Sequence, residues 1–156
     1  MTCTRRLRPL AVAAAVLLAG VAPGVALGAD TITFFPRADD MPFSEAVQVG
    51  SILHLNNQIG TGSDPLKVVP GGFEQELRRT MENIGTILRK HHLGYSAVFK
   101  CHINLLDMGN FDTLNQIYGS YFRRGHYPVR STVGVASLPR GASVGLECLA
   151  WNPARR

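Results

Sequence analysis

The strongest constraint on the fold is an amphipathic helix in the middle of the chain. Apolar side chains recur there at spacings of four, four, three and four residues, which places them on one helical face: Phe73, Leu77, Met81, Ile84 and Leu88. Lys90 follows in the last turn, where positive charge stabilises a helix end, and Gly94 is placed to stop the helix. Such a helix buries one stripe, so the rest of the chain must supply a surface that covers it.

That surface is predicted to be a β-sheet. Segments rich in β-branched and aromatic residues, bounded by glycine, proline or polar turns, lie on both sides of the helix. The expected strands cover 31–35, 45–50, 52–58, 95–106, 130–138 and 143–151. A second helix is expected from Asn110 to Phe122, with Asn110 as its N-terminal cap. The resulting order, βββαβαββ, predicts an α+β fold with both helices on one sheet face. The other face is left to solvent or to a partner subunit.

The first 29 residues have the composition of an export signal. Three arginines precede an apolar run over 10–21, and a Pro-Gly break and small residues follow it. The run is shorter than the ~20 residues of a membrane span. The sequence therefore predicts a signal peptide at 1–29, a domain at 30–156 and a periplasmic or secreted location. An uncleaved membrane anchor is the alternative.

The net charge of the protein is lower when the predicted signal peptide is not counted. Residues 1–29 hold three arginines and no acidic residue, so their removal lowers the net charge from +5 to +2. The remaining basic residues are not interleaved with aromatic ones. The charge pattern predicts no nucleic-acid partner. A domain without a further apolar run is also expected to have no stable membrane insertion after cleavage.

Generic catalytic and cofactor motifs are absent from the sequence. There is no phosphate-binding loop, no G-x-S-x-G nucleophile elbow, and no H-E-x-x-H or H-x-x-x-H pair among the five histidines. The sequence therefore predicts no cofactor and no metal. Cys101 and Cys148 both fall on expected strands. They form either a disulfide, if those strands are adjacent, or two buried thiols.

A more specific signal lies near the carboxyl end. Residues 127–139 read Y-P-V-R-S-T-V-G-V-A-S-L-P and resemble the signature of the RidA/YjgF family, which is also labelled endoribonuclease L-PSP. Further resemblances follow the family order at 42–50 (P-F-S-E-A-V-Q-V-G), 58–60 (Q-I-G) and 107–118 (D-M-G-N-F-D-T-L-N-Q-I-Y). Together they cover nearly all of 30–156. The resemblance implies the family's chorismate-mutase-like fold, whose βββαβαββ order matches the one read from the residues.

The resemblance also implies an activity and an assembly. Family members form homotrimers with ligand clefts between subunits, and they hydrolyse 2-imino acids to 2-keto acids and ammonia. A small carboxylate ligand is therefore expected. Arg130 matches the family arginine that binds the substrate carboxylate, a task that suits a guanidinium fork. The same match assigns further substrate-binding positions to Thr132, Asn115, Phe43 and Asn57.

Departures from the family pattern bear on catalysis. Phe43 replaces a tyrosine, and Asn57 falls where the family has a glycine whose backbone faces the ligand. Gly145 occupies the place of the deaminase glutamate that positions the attacking water. Glu147 lies two residues further on the same strand face and is the candidate catalytic substitute.

Two functions follow from this comparison. One is a 2-iminobutanoate/2-iminopropanoate-type deaminase. The other is a trimer that binds small carboxylates without turnover. The family's ribonuclease label has little support from the charge pattern.

Overall fold

A computed structural model describes residues 31–39 and 41–153. The signal peptide expected at 1–29 lies outside them. Six strands form one sheet in the order β1-β2-β3-β6-β4-β5. The elements are β1 (Ile32–Pro36), β2 (Ser44–Val49), β3 (Ile52–Ile59), α1 (Gly72–Lys90), β4 (Val98–Leu105), α2 (Phe111–Gly119), β5 (Val129–Gly134) and β6 (Val144–Trp151). The α+β prediction with its βββαβαββ order is confirmed.

One pair of strands is parallel and the other neighbouring pairs are antiparallel. β4 and β5 run in the same direction, with Cys101 opposite Arg130. The chain can place them side by side because α2 forms the crossover between them. β5 therefore lies at the edge of the sheet, next to the helix that leads into it.

The helix-covered face of the sheet is the hydrophobic core. Leu77, Met81 and Leu88 of α1 are fully buried, as the helical spacing predicts. They pack in one cluster with sheet residues such as Ile103 and Leu146, which are also fully buried. Both helices thus lie on the same side of the sheet and complete that side.

Several boundaries differ from the sequence prediction. β4 begins at Val98, because residues 95–97 form a short 3-10 helix, and α2 ends at Gly119 and not at Phe122. The left-handed residue after α1 is His92 (φ 59), whereas Gly94 is extended (φ −125). Asn110 makes no side-chain cap bond. Instead, Asp107 accepts from the Gly109 amide at 2.8 Å in the preceding turn. β5 ends at Gly134, so the alternating residues beyond it belong to a turn, which short-range patterns do not separate from a strand.

Cys101 and Cys148 form a disulfide across the centre of the sheet. They are directly opposed on β4 and β6, and both are buried. Of the two alternatives left by the sequence, the structure has the disulfide. It joins strands that the chain brings together over a sequence separation of 47 residues.

A buried carboxylate connects α1 to the start of β6. Glu76 is only 5% exposed, and it accepts from the Ser143 amide at 2.8 Å, the Val144 amide at 3.3 Å and the Ser143 hydroxyl. Space around it is tight, because a Cβ on Gly60 would lie 2.5 Å from the Glu76 Cγ. Sequence analysis missed this residue, although an acidic side chain beside the apolar stripe of the helix was a visible signal.

The second sheet face has no covering element among the described residues. Strand register places six large apolar side chains on it, each between 37% and 66% exposed: Ile32, Phe34, Val49, Val129, Val133 and Trp151. Four polar side chains lie between them and line a cavity of about 290 Å³: His54, Lys100, His102 and Glu147. We call this surface the open face.

Candidate functional site

Arg130 is held against α2 by one hydrogen bond and two aromatic rings. Its Nη2 donates to the Asn115 Oδ1 at 2.6 Å. Its Cζ lies 5.6 Å from the centre of the Phe111 ring and 5.1 Å from that of Tyr118. Cation–π contacts of this kind stabilise a guanidinium without using its remaining N–H donors. Arg130 is therefore oriented by its neighbours while keeping donors for an anion.

The local sequence explains this arrangement. Phe111, Asn115 and Tyr118 recur at spacings of four and three, so they share one face of α2. Arg130 lies opposite Cys101, whose side chain is in the core, and therefore points to the helix side of the sheet. The edge strand and the helix that precedes it thus bring these residues together.

Two hydroxyl groups in this region have no hydrogen-bond partner among the described residues. The Oγ1 of Thr132 is buried, and register places Thr132 on the same side of β5 as Arg130. The hydroxyl of Tyr118 is also buried, and burial raises the pKa of this phenol to about 12. Tyr118 therefore stays neutral at physiological pH. We name Arg130, Asn115, Thr132 and Tyr118 the arginine cluster.

Phe43 and Asn57 lie in a different place. Both line a cavity of about 490 Å³, a volume typical of small-molecule sites. Arg37 also lines it, with its Cζ 5.1 Å from the centre of the Phe43 ring. The Arg37 guanidinium donates to Asp39 at 2.7 and 2.6 Å, and these bonds hold the pKa of the Asp39 carboxyl below its usual value. We name this space the Phe43 cavity.

The substrate-binding residues expected from the sequence thus form two groups within one chain. Arg130, Asn115 and Thr132 belong to the edge strand and α2, whereas Phe43 and Asn57 line the cavity beside β3. Strands β4 and β6 separate β3 from β5 in the sheet. Motif matching could not reveal this separation, because sequence order does not show which side of a sheet each match reaches.

Glu147 lies on the opposite face of the sheet from Arg130. Glu147 pairs with His102 and Arg130 pairs with Cys101, one position along β4, so their side chains point to opposite sides. Glu147 is exposed on the open face. Within a single chain, Glu147 and Arg130 therefore do not face the same space, and a catalytic role for Glu147 stays a prediction.

Asn57 fills the space beside Gly145. A Cβ on Gly145 would lie 3.0 Å from both the Oδ1 and the Nδ2 of Asn57, which is tighter than ordinary packing. The Asn57 Oδ1 is buried without a hydrogen-bond partner among the described residues. A carboxamide thus occupies the position that a side chain at 145 would take. An amide binds by hydrogen bonding, but it cannot accept a proton as a carboxylate does.

The described residues contain no group of three or more histidine, cysteine or acidic side chains able to hold a metal ion. Nor does any helix in the described part of the chain have the length and apolar character needed to cross a membrane.

Comparison with known proteins identifies the family. The model described as Endoribonuclease L-PSP matches residues 37–152. The 2-iminobutanoate/2-iminopropanoate deaminase of Mus musculus is 38% identical over 109 residues, which are 70% of this chain and 80% of the mouse protein. The chain belongs to the RidA/YjgF family.

Solved structures agree with this assignment. The crystal structure of RidA from an Antarctic Psychrobacter is similar with a TM-score of 0.67 and 28% identity, over 75% of this chain and 93% of that one. E. coli TdcF with bound serine is similar with a TM-score of 0.65 and 27% identity, over 72% and 89% of the two chains.

Proposed function

We propose that this protein is an exported, homotrimeric deaminase that hydrolyses small 2-imino acids to 2-keto acids and ammonia. The observation that carries the proposal is the arginine cluster, in which Arg130 is oriented by Asn115 and keeps donors for a carboxylate. Two relatives support it. The mouse protein carries the name of this activity, and the TdcF structure has an amino acid bound.

In the proposed reaction, Arg130 binds the substrate carboxylate through its guanidinium fork. Asn115 fixes the guanidinium, so the imine carbon is held in one place. The backbone at Thr132, two residues along β5 on the same side, is the further contact to the substrate. Water adds to the C=N bond, giving its hydroxyl to carbon and a proton to nitrogen. The second proton then moves from that hydroxyl to nitrogen. The C–N bond breaks, ammonia departs, and the carbon keeps the oxygen as a C=O group.

Ammonia release from an imine made in situ tests this activity. An amino acid oxidase acting on alanine supplies 2-iminopropanoate, and the protein is expected to accelerate its conversion to ammonia. Arg130→Ala should abolish the acceleration, because the carboxylate loses its charged partner. Arg124→Ala is the matched control, since Arg124 is an exposed loop arginine outside both site regions. Equal ammonia release with and without the protein would refute the deaminase.

The trimer is proposed from two observations. The open face carries exposed apolar side chains that nothing in the described chain covers. The two groups of expected ligand residues are also incomplete in one chain. The proposed trimer packs the open faces of three subunits together, and its cleft joins the arginine cluster at the edge strand of one subunit to the Phe43 cavity of the next.

Mixing two inactive variants tests this shared cleft. Arg130→Ala and Phe43→Ala damage different halves, so a mixed trimer regains intact clefts wherever a wild-type Arg130 meets a wild-type Phe43. After denaturation and co-refolding, random assembly restores about one quarter of the clefts. Each variant refolded alone is the control. Absence of recovered activity in mixtures of confirmed trimers would contradict a cleft shared between subunits.

Export is proposed from the signal-like segment and the disulfide. Disulfides persist in oxidising compartments and are rare in the reducing cytosol. Cys101–Cys148 is therefore the structural support for a periplasmic or secreted protein. Fractionation with intact-mass measurement tests it. A mass lacking about the first 29 residues is expected in the exported fraction, whereas a full-length, reduced protein confined to the cytosol would contradict export.

The second candidate function is binding without turnover. It is favoured by the pairing of Asn57 with Gly145, which puts an amide at the position where the deaminase pattern has a carboxylate. In that case keto acids raise the melting temperature while ammonia release stays at its uncatalysed rate. Arg130→Ala removes this stabilisation. A melting temperature unchanged by any keto acid would exclude the binder.

A further inference from the structure

The Phe43 cavity contains a second arginine that the proposed reaction does not use. Arg140 lines it from the turn between β5 and β6. Its guanidinium has no ion pair and no hydrogen bond with any described residue. Arg37, by contrast, is paired with Asp39 through two hydrogen bonds. Among the described lining residues, the charges of Arg37 and Asp39 cancel, so Arg140 leaves the cavity with one positive charge.

The backbone of Arg140 is unusual for a residue with a long side chain. It adopts a left-handed conformation (φ 62, ψ 18), and Gly141 follows with a φ of 67. Left-handed backbone is disfavoured for residues with a Cβ and is more common at ligand sites, where the surroundings maintain it. Asparagine or glycine would fit this turn with less strain. The conformation therefore supports a role for the arginine side chain itself.

The rest of the cavity suits the apolar part of a small acid. Met41, Phe43, Ile59 and Leu66 contribute apolar wall beside polar side chains of β3, and Arg140 is the lining residue whose charge no described neighbour cancels. A guanidinium is permanently charged and binds a carboxylate through two parallel hydrogen bonds. An anionic end directed at Arg140 would thus be neutralised, while the carbon chain behind it lies against apolar side chains.

We infer that Arg140 binds a second acidic group, so that the cleft selects 2-imino dicarboxylic acids over monocarboxylic ones. The inference rests on the proposed function, in which Arg130 takes the carboxylate beside the imine. In the proposed trimer, Arg140 of the neighbouring subunit takes the distal carboxylate. The reaction is unchanged: water converts C=N to C=O, and its two hydrogens leave with nitrogen as ammonia.

Kinetics on two imines test this selectivity. Suitable oxidases generate one imine from glutamate and one from alanine, and ammonia release gives kcat and KM for each. Arg140→Asn is the main variant, since asparagine tolerates the left-handed backbone. We expect a loss of about tenfold in kcat/KM for the glutamate imine, chiefly through KM, as for one charge-assisted contact. The alanine imine should change less than about twofold. Arg140→Lys, which keeps the charge without the fork, should lie between.

The controls separate this inference from the proposed function. Arg124→Asn removes an exposed arginine outside the cavity and should affect neither imine. Equal losses on both imines in Arg140→Asn, or no loss on either, would overturn the inference while leaving the deaminase in place.

If the wild type hydrolyses neither imine, the deaminase fails and binding decides. Stabilisation by 2-oxoglutarate should then exceed that by 2-oxopentanoate, which has the same number of carbons, and Arg140→Asn should remove the difference. Equal stabilisation of the wild type by both acids would overturn the role of Arg140.

Discussion

The two faces of the six-stranded sheet are built from the same strands but differ in what covers them. On the helix side, Ile103 and Leu146 are fully buried beneath α1 and α2. On the open face, Phe34 is 66% exposed and Trp151 is 54% exposed, although both belong to regular strands. The chain completes one face by itself. On the other face it leaves six large apolar side chains exposed around a polar centre.

The candidate ligand residues are also divided between the two faces of the sheet. The arginine cluster lies on the helix side at the sheet edge, where α2 fixes it. Glu147, His54, Lys100 and His102 lie on the open face, on the other side of the sheet from that helix. Arg130 and Glu147, which the sequence assigns to one site, therefore lie on opposite faces of the sheet.

Removing bulk from the helix side should cost the most stability. Leu146→Ala leaves a cavity in a fully buried layer, and we expect a loss of about 2–5 kcal/mol in the free energy of unfolding. Urea denaturation measures it. Leu66→Ala, at a loop side chain that is 58% exposed, is the control and should change stability by less than about 0.5 kcal/mol. A loss below about 1 kcal/mol for Leu146→Ala would show that this face is not tightly packed.

The disulfide should contribute nearly as much as a core leucine. Replacing both Cys101 and Cys148 by alanine removes the covalent link between β4 and β6, and we expect a loss of roughly 2–4 kcal/mol. The double variant avoids leaving a lone thiol. Thermal melts with and without reductant measure the effect, and the variant should be insensitive to reductant. If complete reduction of the disulfide leaves the melting temperature of the wild type unchanged, the disulfide has no stabilising role.

Two phenols on the helix side should make the fold sensitive to alkali. Burial raises the pKa of Tyr95 to about 12, and that of Tyr118 likewise. Because both folded values exceed the unfolded value near 10, their contribution is complete below pH ~10 and is lost as the pH rises towards 12. Denaturant midpoints across this range measure the loss. Tyr118→Phe should reduce it, whereas Tyr127→Phe, at an exposed residue, should not. An unchanged pH profile in Tyr118→Phe would contradict the assignment.

A charged side chain introduced on the open face should have the smallest effect on the stability of the fold, but it should lower the mass of the assembly. Trp151 is half-exposed, so Trp151→Glu should change the stability of the isolated chain by less than about 1 kcal/mol. In the proposed trimer it buries three carboxylates, which disfavours assembly. Light scattering with size-exclusion chromatography measures the mass. A Trp151→Glu protein of unchanged trimeric mass would place the subunit interface elsewhere, and Leu66→Glu is the control.

The fold was largely predictable because its signals are local. The apolar spacing of α1 and the alternation of the strands specify which side each residue faces, and the helix face and the βββαβαββ order along the chain are confirmed. The separation of Arg130 from Asn57 was not predictable from motifs, because it depends on the sheet order. The contact between Asn57 and Gly145 was hidden for a similar reason. It depends on the register shift in β3 between Leu55 and Gln58, which no spacing rule shows.

The contacts of Glu76 restrict the positions at which this chain can accept an insertion. Its carboxylate joins α1 to the two residues that begin β6, and these lie 67 and 68 positions further along the chain. An insertion directly before Ser143 would pull these amides away from a charge that has no other partner among the described residues. An insertion at 62–67, an exposed loop, would leave that contact intact. Length variation among natural relatives is therefore expected in the loop before α1 and not at the entry to β6.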